Sequence, residues 1–167
     1  MFPDEGPFRR ELYPKQLEFF KAGSIHKERL FMAGNRVGKT EGGGYEVAAH
    51  LTGQYPHWWE GRRFNKAILA LAAGDTGQTT RDVIQNKMLG GKWGTPEWGT
   101  GIIPADCLDV KPTLKQGVAD AYEEVKVKHV SGALSNLGFR SYTQGQHVLM
   151  GTAKDYIWID EEPEDDE

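Results

Sequence analysis

The stretch Gly34-Asn35-Arg36-Val37-Gly38-Lys39-Thr40 decides the fold of this chain. A short apolar run, 29–33, precedes it and predicts a buried strand, while residues 39–51 after it have a helical pattern. A glycine-rich turn between a strand and a helix lets backbone N–H groups form a concave anion site, to which the beginning of the helix adds unpaired N–H groups. We therefore predict that residues 34–40 form a phosphate-binding loop for ATP. In this loop the Lys39 amine binds the β- and γ-phosphates and the Thr40 hydroxyl binds Mg²⁺.

The loop departs from the usual glycine spacing at one position. Ala33 stands where the first glycine is expected, and the glycine is displaced to Gly34. A glycine-rich turn with an incidental lysine is therefore the alternative interpretation of this motif alone. Arg36, inside the loop, is a candidate for contact with the γ-phosphate and for a catalytic role of the kind that arginine fingers have. Its alternative is a solvent-facing side chain.

A second motif supports the nucleotide interpretation. Residues 156–159 are apolar, which predicts a buried strand, and they are followed by Asp160, Glu161 and Glu162. Carboxylates at the end of a buried strand are costly unless a cation lies beside them. We predict a Walker B motif in which Asp160 binds Mg²⁺, mostly through its water shell, and Glu161 activates the attacking water. Glu162 is the alternative for that second role.

Tyr13 and Gln16 precede the loop and are candidates for binding adenine. The Gln16 amide offers both a donor and an acceptor, which match the N6 and N7 edge of the base, and the Tyr13 ring can stack on it. This pair is common in proteins that bind no nucleotide, so the prediction depends on the loop that follows.

The composition is that of a globular protein. Of the 167 residues 38% are apolar and 26% are charged, which suits a single core. The net charge of −4 becomes +2 without the last seven residues, which hold six acids, so the strong basic excess of proteins that bind nucleic acid by themselves is missing. No apolar run approaches the length of a membrane span, and we expect no membrane partner. The single cysteine, Cys107, excludes an internal disulfide and is typical of a small buried side chain.

Further apolar segments predict the sheet. Residues 66–74 read as a second buried strand, followed by a helix with Asp75 at its N-cap. Residues 123–130 and 136–143 read as an antiparallel pair added at an edge of the sheet. Continuous apolar strands separated by helical patterns predict an α/β fold with a mostly parallel central sheet and helices on both faces.

Two local patterns predict helix packing. Residues 14–22 form a short amphipathic pattern that ends at Gly23. Three glycines, 42–44, lie in the helix after the loop and each lower its intrinsic stability by about 0.8–1.0 kcal/mol. They predict an element that packs very closely on that turn. Residues 90–104, rich in glycine, tryptophan and proline, predict a long surface loop.

Three strings resemble, in this order and spacing, the ATPase domain of large terminase subunits from tailed bacteriophages. They are YPKQ (13–16), AGNRVGKTEGG (33–43) and SYTQGQHVLMGTAKDYIWIDEEP (141–163). The third string is the most specific. Terminase loops often depart from the usual glycine spacing and carry an internal arginine, so Ala33 and Arg36 agree with the resemblance, which extends from Tyr13 to Pro163.

The resemblance implies a P-loop NTPase fold of the additional-strand RecA-like type. On it, 1–28 is an N-terminal segment with the adenine contacts, 29–160 the ATPase core and 161–167 an acidic tail. It implies Mg²⁺-dependent ATP hydrolysis that drives double-stranded DNA into a procapsid in the host cytoplasm. The implied partners are the viral genome, the portal protein and the small terminase subunit, with the chain in a ring oligomer.

The end of the sequence departs from the family. Large terminase subunits continue after Walker B with a coupling motif and a nuclease domain, whereas this sequence stops seven residues after Asp160. We therefore expect the isolated chain to bind ATP and to hydrolyse it slowly. The competing hypotheses are a helicase-like, nucleic-acid-dependent ATPase and a nucleotide-binding assembly module that hydrolyses nothing.

Overall fold

A five-stranded sheet forms the centre of the protein in the computed structural model, which describes residues 1–34, 36–144 and 153–161. The strand order is β2-β3-β4-β1-β5. The strands are β1 (Leu69–Gly74), β2 (Thr113–Leu114), β3 (Tyr122–Lys128), β4 (Leu134–Ser141) and β5 (Tyr156–Ile159).

The prediction of a mostly parallel sheet is wrong, because the sheet is mixed. β1 runs parallel to both β4 and β5, whereas β3 runs antiparallel to β2 and β4. The predicted antiparallel pairing of β3 with β4 is confirmed, but the pair is not wholly an addition at the edge, since β4 lies in the centre beside β1. A tight connection forces β3 and β4 to be antiparallel, and Gly132 in that connection has a φ of +88°. β4 is buried along most of its length, as a central strand requires.

The segment before the loop is not the buried strand that its sequence predicts. Residues 29–33 form no strand, and Leu30 and Met32 are each 81% exposed. Apolar character is not sufficient for a strand, which also needs a neighbour to pair its backbone groups. Within the described residues, no strand of the sheet reaches this segment.

The helices begin and end close to the predicted residues. They are α1 (Pro14–Ala22), α2 (Lys39–Thr52), α3 (Gly77–Thr79), a π-helical stretch (Thr80–Gln85) and α4 (Asn86–Leu89), the last three following one another without a break. Thr76, rather than the predicted Asp75, caps α3, because the Thr76 hydroxyl accepts the Thr79 N–H at 3.1 Å. In the described ranges no helix is long and apolar enough to cross a bilayer.

Both long helical segments pack against the same face of the sheet. Val47 of α2 and Met88 of α4 join one core cluster with Ala70 and Ala72, alternate residues of β1. The helices therefore flank the sheet, as predicted. On the opposite face of β1, Leu71 and Ala73 are also buried, at 2% and 0% exposure, and Leu69 is 40% exposed.

The loop at 90–104 exists as predicted, although its tryptophans are not surface side chains. Trp93 and Trp98 pack against the core cluster, and the Trp98 indole donates a hydrogen bond to the Leu108 carbonyl at 2.9 Å. Cys107 is free and buried, as its sequence context predicts.

One face of α2 meets one face of β5 in three contacts. Side chains three positions apart lie on one face of a helix, and side chains two positions apart lie on one face of a strand. The contacts pair Thr40 with Asp160, Gly43 with Trp158, and Glu46 with Tyr156. A Cβ on Gly43 would lie 2.5 Å from the Trp158 indole nitrogen, and one on Gly44 would lie 2.9 Å from the Ile102 side chain, so the predicted close packing is confirmed at these two glycines.

We expect Gly43→Ala to lower the free energy of unfolding by roughly 1–2 kcal/mol. Overpacking against the rigid indole costs about 1–3 kcal/mol, and the better helix propensity of alanine offsets part of that cost. Gly42→Ala is the matched control, because its Cβ would meet only the Gln16 side chain at an ordinary 3.6 Å. The control should gain up to about 1 kcal/mol. Denaturant unfolding measures both, and a Gly43→Ala protein as stable as the control would refute the packing argument.

Candidate active site

A cleft of about 1630 Å³ lies between the segment that precedes the loop, the beginning of α2 and the end of β5. It is lined by residues of both motifs that the sequence singles out, among them Arg36, Lys39, Thr40, Asp160 and Glu161. The parallel strands β1, β4 and β5 all end at this edge of the sheet, which is where ligands of open α/β sheets bind.

The two motifs meet through a direct hydrogen bond. The Thr40 hydroxyl donates to the Asp160 carboxylate at 3.1 Å, across 120 positions of sequence. The β5 backbone fixes the acidic partner, since the Asp160 N–H donates to the Ala73 carbonyl at 3.1 Å. The structure therefore places the two predicted metal ligands side by side, while their roles remain predictions.

Burial raises the pKa of the Asp160 carboxyl above its ordinary value, and the neighbouring Glu161 raises it further. The hydrogen bond from Thr40 and the positive charges of Lys87 and Lys39 act in the opposite direction. Burial has the largest effect, so the ionised Asp160 carboxylate destabilises the folded protein. A cation bound at the carboxylate would remove that destabilisation.

The oxygen atoms at this position suit Mg²⁺. The Thr40 hydroxyl and the Asp160 carboxylate are hard ligands, which Mg²⁺ prefers. The described part of the chain has no cluster of three or more His, Cys, Asp or Glu side chains that could hold a metal. A Mg²⁺ ion bound to these two oxygens would take its other ligands from phosphate oxygens and water, which is its common arrangement in nucleotide sites.

The loop itself leads into a helix whose first turn has no side-chain cap. Gly38 is the N-cap of α2, with a φ of +84°, and it provides no side-chain hydrogen bond to the first turn. The first N–H groups of α2 are thus available to an anion. The Lys39 amine donates to the Ala33 carbonyl at 2.5 Å, across the mouth of the loop. Arg36 has a φ of +62° and an exposed side chain.

Gln16 contacts the backbone of the loop. Its side chain is 8% exposed, and its amide nitrogen donates to the Val37 carbonyl at 3.0 Å. Tyr13 lies at the beginning of α1, where its ring packs edge-on against Phe2 with the centroids 5.6 Å apart. The Gln16 amide thus supports the backbone of the loop. The adenine contacts of Tyr13 and Gln16 remain predictions.

Some predicted residues carry no structural information. Asn35 of the loop and Glu162 of the acidic ending lie outside the described residues. Gly34 is described, and a Cβ built on it would meet no atom within 4 Å. The displaced glycine therefore borders open space, which leaves room for a ligand beside the backbone.

Sequence reasoning missed a tyrosine that holds the acidic end of β5. The Tyr142 hydroxyl donates to the Glu161 carbonyl at 2.7 Å. Burial raises the pKa of Tyr142 to about 12, with further contributions from Asp160, Glu161 and Asp75, so the hydroxyl remains a donor at neutral pH. The string that begins at Ser141 marks this stretch as specific, but no local pattern reveals which backbone atom the side chain reaches.

A lysine from another helix also lines the cleft, and no sequence motif predicts it. Lys87, at the beginning of α4, forms an ion pair with Glu41, which follows Thr40 in sequence. Both side chains line the cleft. Their spacing of 46 positions makes the contact a result of helix packing, which sequence periodicity does not predict.

We expect Asp160→Asn to raise the melting temperature of the ligand-free protein at neutral pH. Because the folded pKa of Asp160 lies above the ordinary 3.8, the unfolded chain releases this proton first, and stability is lost as the pH rises through the folded pKa. Asparagine removes that loss and keeps an oxygen for the Thr40 hydroxyl. Thermal unfolding between pH 3 and 8 should show the gain at neutral pH and none below about 3.8. Asp106→Asn, at an exposed site outside the cleft, should show no such pattern, and a less stable Asp160→Asn protein at neutral pH would contradict the argument.

Comparisons with known proteins identify the family of the chain. The family model described as "Terminase large subunit, T4likevirus-type, N-terminal" matches residues 30–167. The large terminase subunit of Salmonella phage P22 is 34% identical over 168 residues, which cover 90% of this chain and 34% of that relative. The chain thus spans about a third of the length of the relative. No solved structure matches it. The chain belongs to the terminase large subunit family.

Proposed function

We propose that this chain binds ATP with Mg²⁺ in the cleft and hydrolyses it, as the ATPase region of a phage DNA-packaging motor with a RecA-like P-loop core. The observation that carries the proposal is the 3.1 Å hydrogen bond between Thr40 and Asp160. A hydroxyl at the beginning of a helix and a carboxylate at the end of a parallel strand are the two protein ligands that P-loop NTPases use for nucleotide-bound Mg²⁺.

Each residue of the cleft has a proposed role that follows from its position. The uncapped first turn of α2 and the Lys39 amine supply positive charge to the phosphates. Thr40 and Asp160 would hold Mg²⁺, which neutralises charge on the phosphate oxygens when bound. Glu161 follows Asp160 at the exposed end of β5, where its carboxylate can orient and deprotonate a water molecule. Arg36 projects from the loop and can approach the γ-phosphate.

The packaging role rests on the family. The matched relative is a terminase large subunit, and we propose for the whole protein the same class of task, the movement of double-stranded viral DNA into a procapsid. The proposed partners are the portal protein and the small terminase subunit, in a ring at the procapsid in the host cytoplasm. Stimulation of turnover by portal or small subunit, and not by single-stranded DNA, would separate this role from that of a helicase.

We expect Lys39→Ala to weaken ATP binding roughly 10–100-fold, the value of a hydrogen bond to a charged group. Isothermal titration with ATP and Mg²⁺ measures the affinity. Lys111→Ala, which removes an exposed amine outside the cleft, should bind like the wild type. Equal affinities for the two variants would place the nucleotide elsewhere.

We expect Glu161→Gln to slow phosphate release by about 10²–10⁴-fold, which is the usual contribution of a general base. ATP affinity should stay within about twofold, because the Tyr142 contact uses the backbone of Glu161 and survives the change. Glu28→Gln is the matched control, since Glu28 lines the same cleft. Unchanged phosphate release in Glu161→Gln would favour a nucleotide-binding module without catalysis.

A further inference from the structure

A fully buried carboxylate lies on α2 behind the cleft. Glu46 is 0% exposed and takes no part in the chemistry proposed above. A buried carboxylate is retained only when charge and hydrogen bonds compensate its loss of hydration. The side chains that contact the Glu46 carboxylate therefore show which elements of the fold it connects.

Two side chains from distant segments compensate Glu46. Arg29 places one guanidinium nitrogen 3.1 Å from each carboxylate oxygen. Tyr156 donates its hydroxyl to the same carboxylate at 3.0 Å. Burial raises the pKa of Tyr156, so this hydroxyl keeps its proton and remains a donor.

The same cluster continues through His50, which also lines the cleft. The His50 ring nitrogen Nε2 lies 3.4 Å from Glu46, and Nδ1 lies 2.9 Å from the Tyr55 hydroxyl. Burial lowers the pKa of His50, so the ring is neutral at physiological pH. The Tyr55 hydroxyl also accepts the Phe64 N–H at 2.8 Å. The His50 ring also packs edge-on against the Tyr156 ring, with the centroids 4.8 Å apart, whereas Tyr55 and Phe64 are not among the described residues that line the cleft.

The Arg29 and Tyr156 side is different, because each of its members belongs to an element of the site. Arg29 lies in the segment that enters the phosphate loop and also donates to the Phe19 carbonyl of α1 at 2.7 Å. Glu46 lies on the helix that begins at Lys39. Tyr156 begins the strand after which Asp160 follows. One carboxylate thus joins the entry to the loop, the helix after it and the Walker B strand.

We propose that Glu46, Arg29 and Tyr156 form a positioning triad that sets the separation of Thr40 and Asp160. The Glu46–Tyr156 contact is one end of the α2–β5 interface, and Thr40–Asp160 is the other. Between them Trp158 packs on Gly43, so the two ends are joined by a rigid ring. The effect of the triad on metal and nucleotide binding rests on the proposed function; its effect on the positions of Thr40 and Asp160 does not.

The test compares Tyr156→Phe with Tyr55→Phe. Both remove one hydroxyl from the same buried cluster and keep the ring, but only the first separates β5 from Glu46. Two-dimensional NMR of the ligand-free protein should show shifted amide resonances for Thr40 and Asp160 in Tyr156→Phe and unshifted ones in Tyr55→Phe. Circular dichroism at the same temperature establishes that both variants are folded.

Nucleotide titration gives the functional half of the test. The factor by which Mg²⁺ improves ATP affinity should fall roughly 2–10-fold in Tyr156→Phe and stay unchanged in Tyr55→Phe. The affinity for ATP in the presence of EDTA should be the same in both variants. A structural role alone would lower the melting temperatures of both variants and leave the Mg²⁺ factor unchanged.

The outcomes separate the two proposals. If Thr40 and Asp160 resonances in Tyr156→Phe coincide with those of the wild type, the positioning triad is refuted. If the wild type binds no ATP with or without Mg²⁺, the proposed function fails, and the NMR comparison still decides the triad.

Discussion

The contact between α2 and β5 is the constraint on which the site depends. A helix repeats its face every three to four residues and a strand every two, so three successive pairings need compatible side chains at all of them. Here those pairings are a hydrogen bond, an indole on a bare glycine backbone and a buried carboxylate with its donors. Each would tolerate few replacements. Together they hold a helix N-terminus and a strand C-terminus at hydrogen-bonding distance, which neither element achieves alone.

The parts of the site that short sequence motifs encode are predictable from the sequence. The glycine-rich turn, the helix after it and the acidic end of an apolar strand are each visible within a few residues. The sheet was harder, because pairing partners and directions depend on contacts between distant segments. Residues 29–33 and 156–159 have the same apolar character, yet only the second is a strand, since only it lies beside β1. Arg29 and Glu46 gave no signal for the same reason: their contact joins segments that no periodicity connects.

Several groups of the site adopt states whose energetic cost the rest of the protein must compensate. Arg36 adopts a left-handed conformation, which costs a non-glycine residue roughly 1–3 kcal/mol. Asp160 carries a charge that its surroundings disfavour. Two side chains restrain the strained turn, Lys39 through the Ala33 carbonyl and Gln16 through the Val37 carbonyl. These contacts hold the loop in a strained shape, at a cost in stability that the proposed nucleotide and cation would offset.

The position of β5 at the end of the described sheet has a consequence for how the protein behaves in solution. An outer strand leaves a row of backbone donors and acceptors that another chain can use as a template for aggregation. Ile157 and Ile159 are about half exposed on this strand, which increases that tendency. The short length of β5 and the carboxylates that flank it, Asp155 and Asp160, oppose aggregation. Short strands with charges at their ends pair poorly with strands of other chains. Asp160, the proposed metal ligand, is thus also one of the charges that oppose self-association.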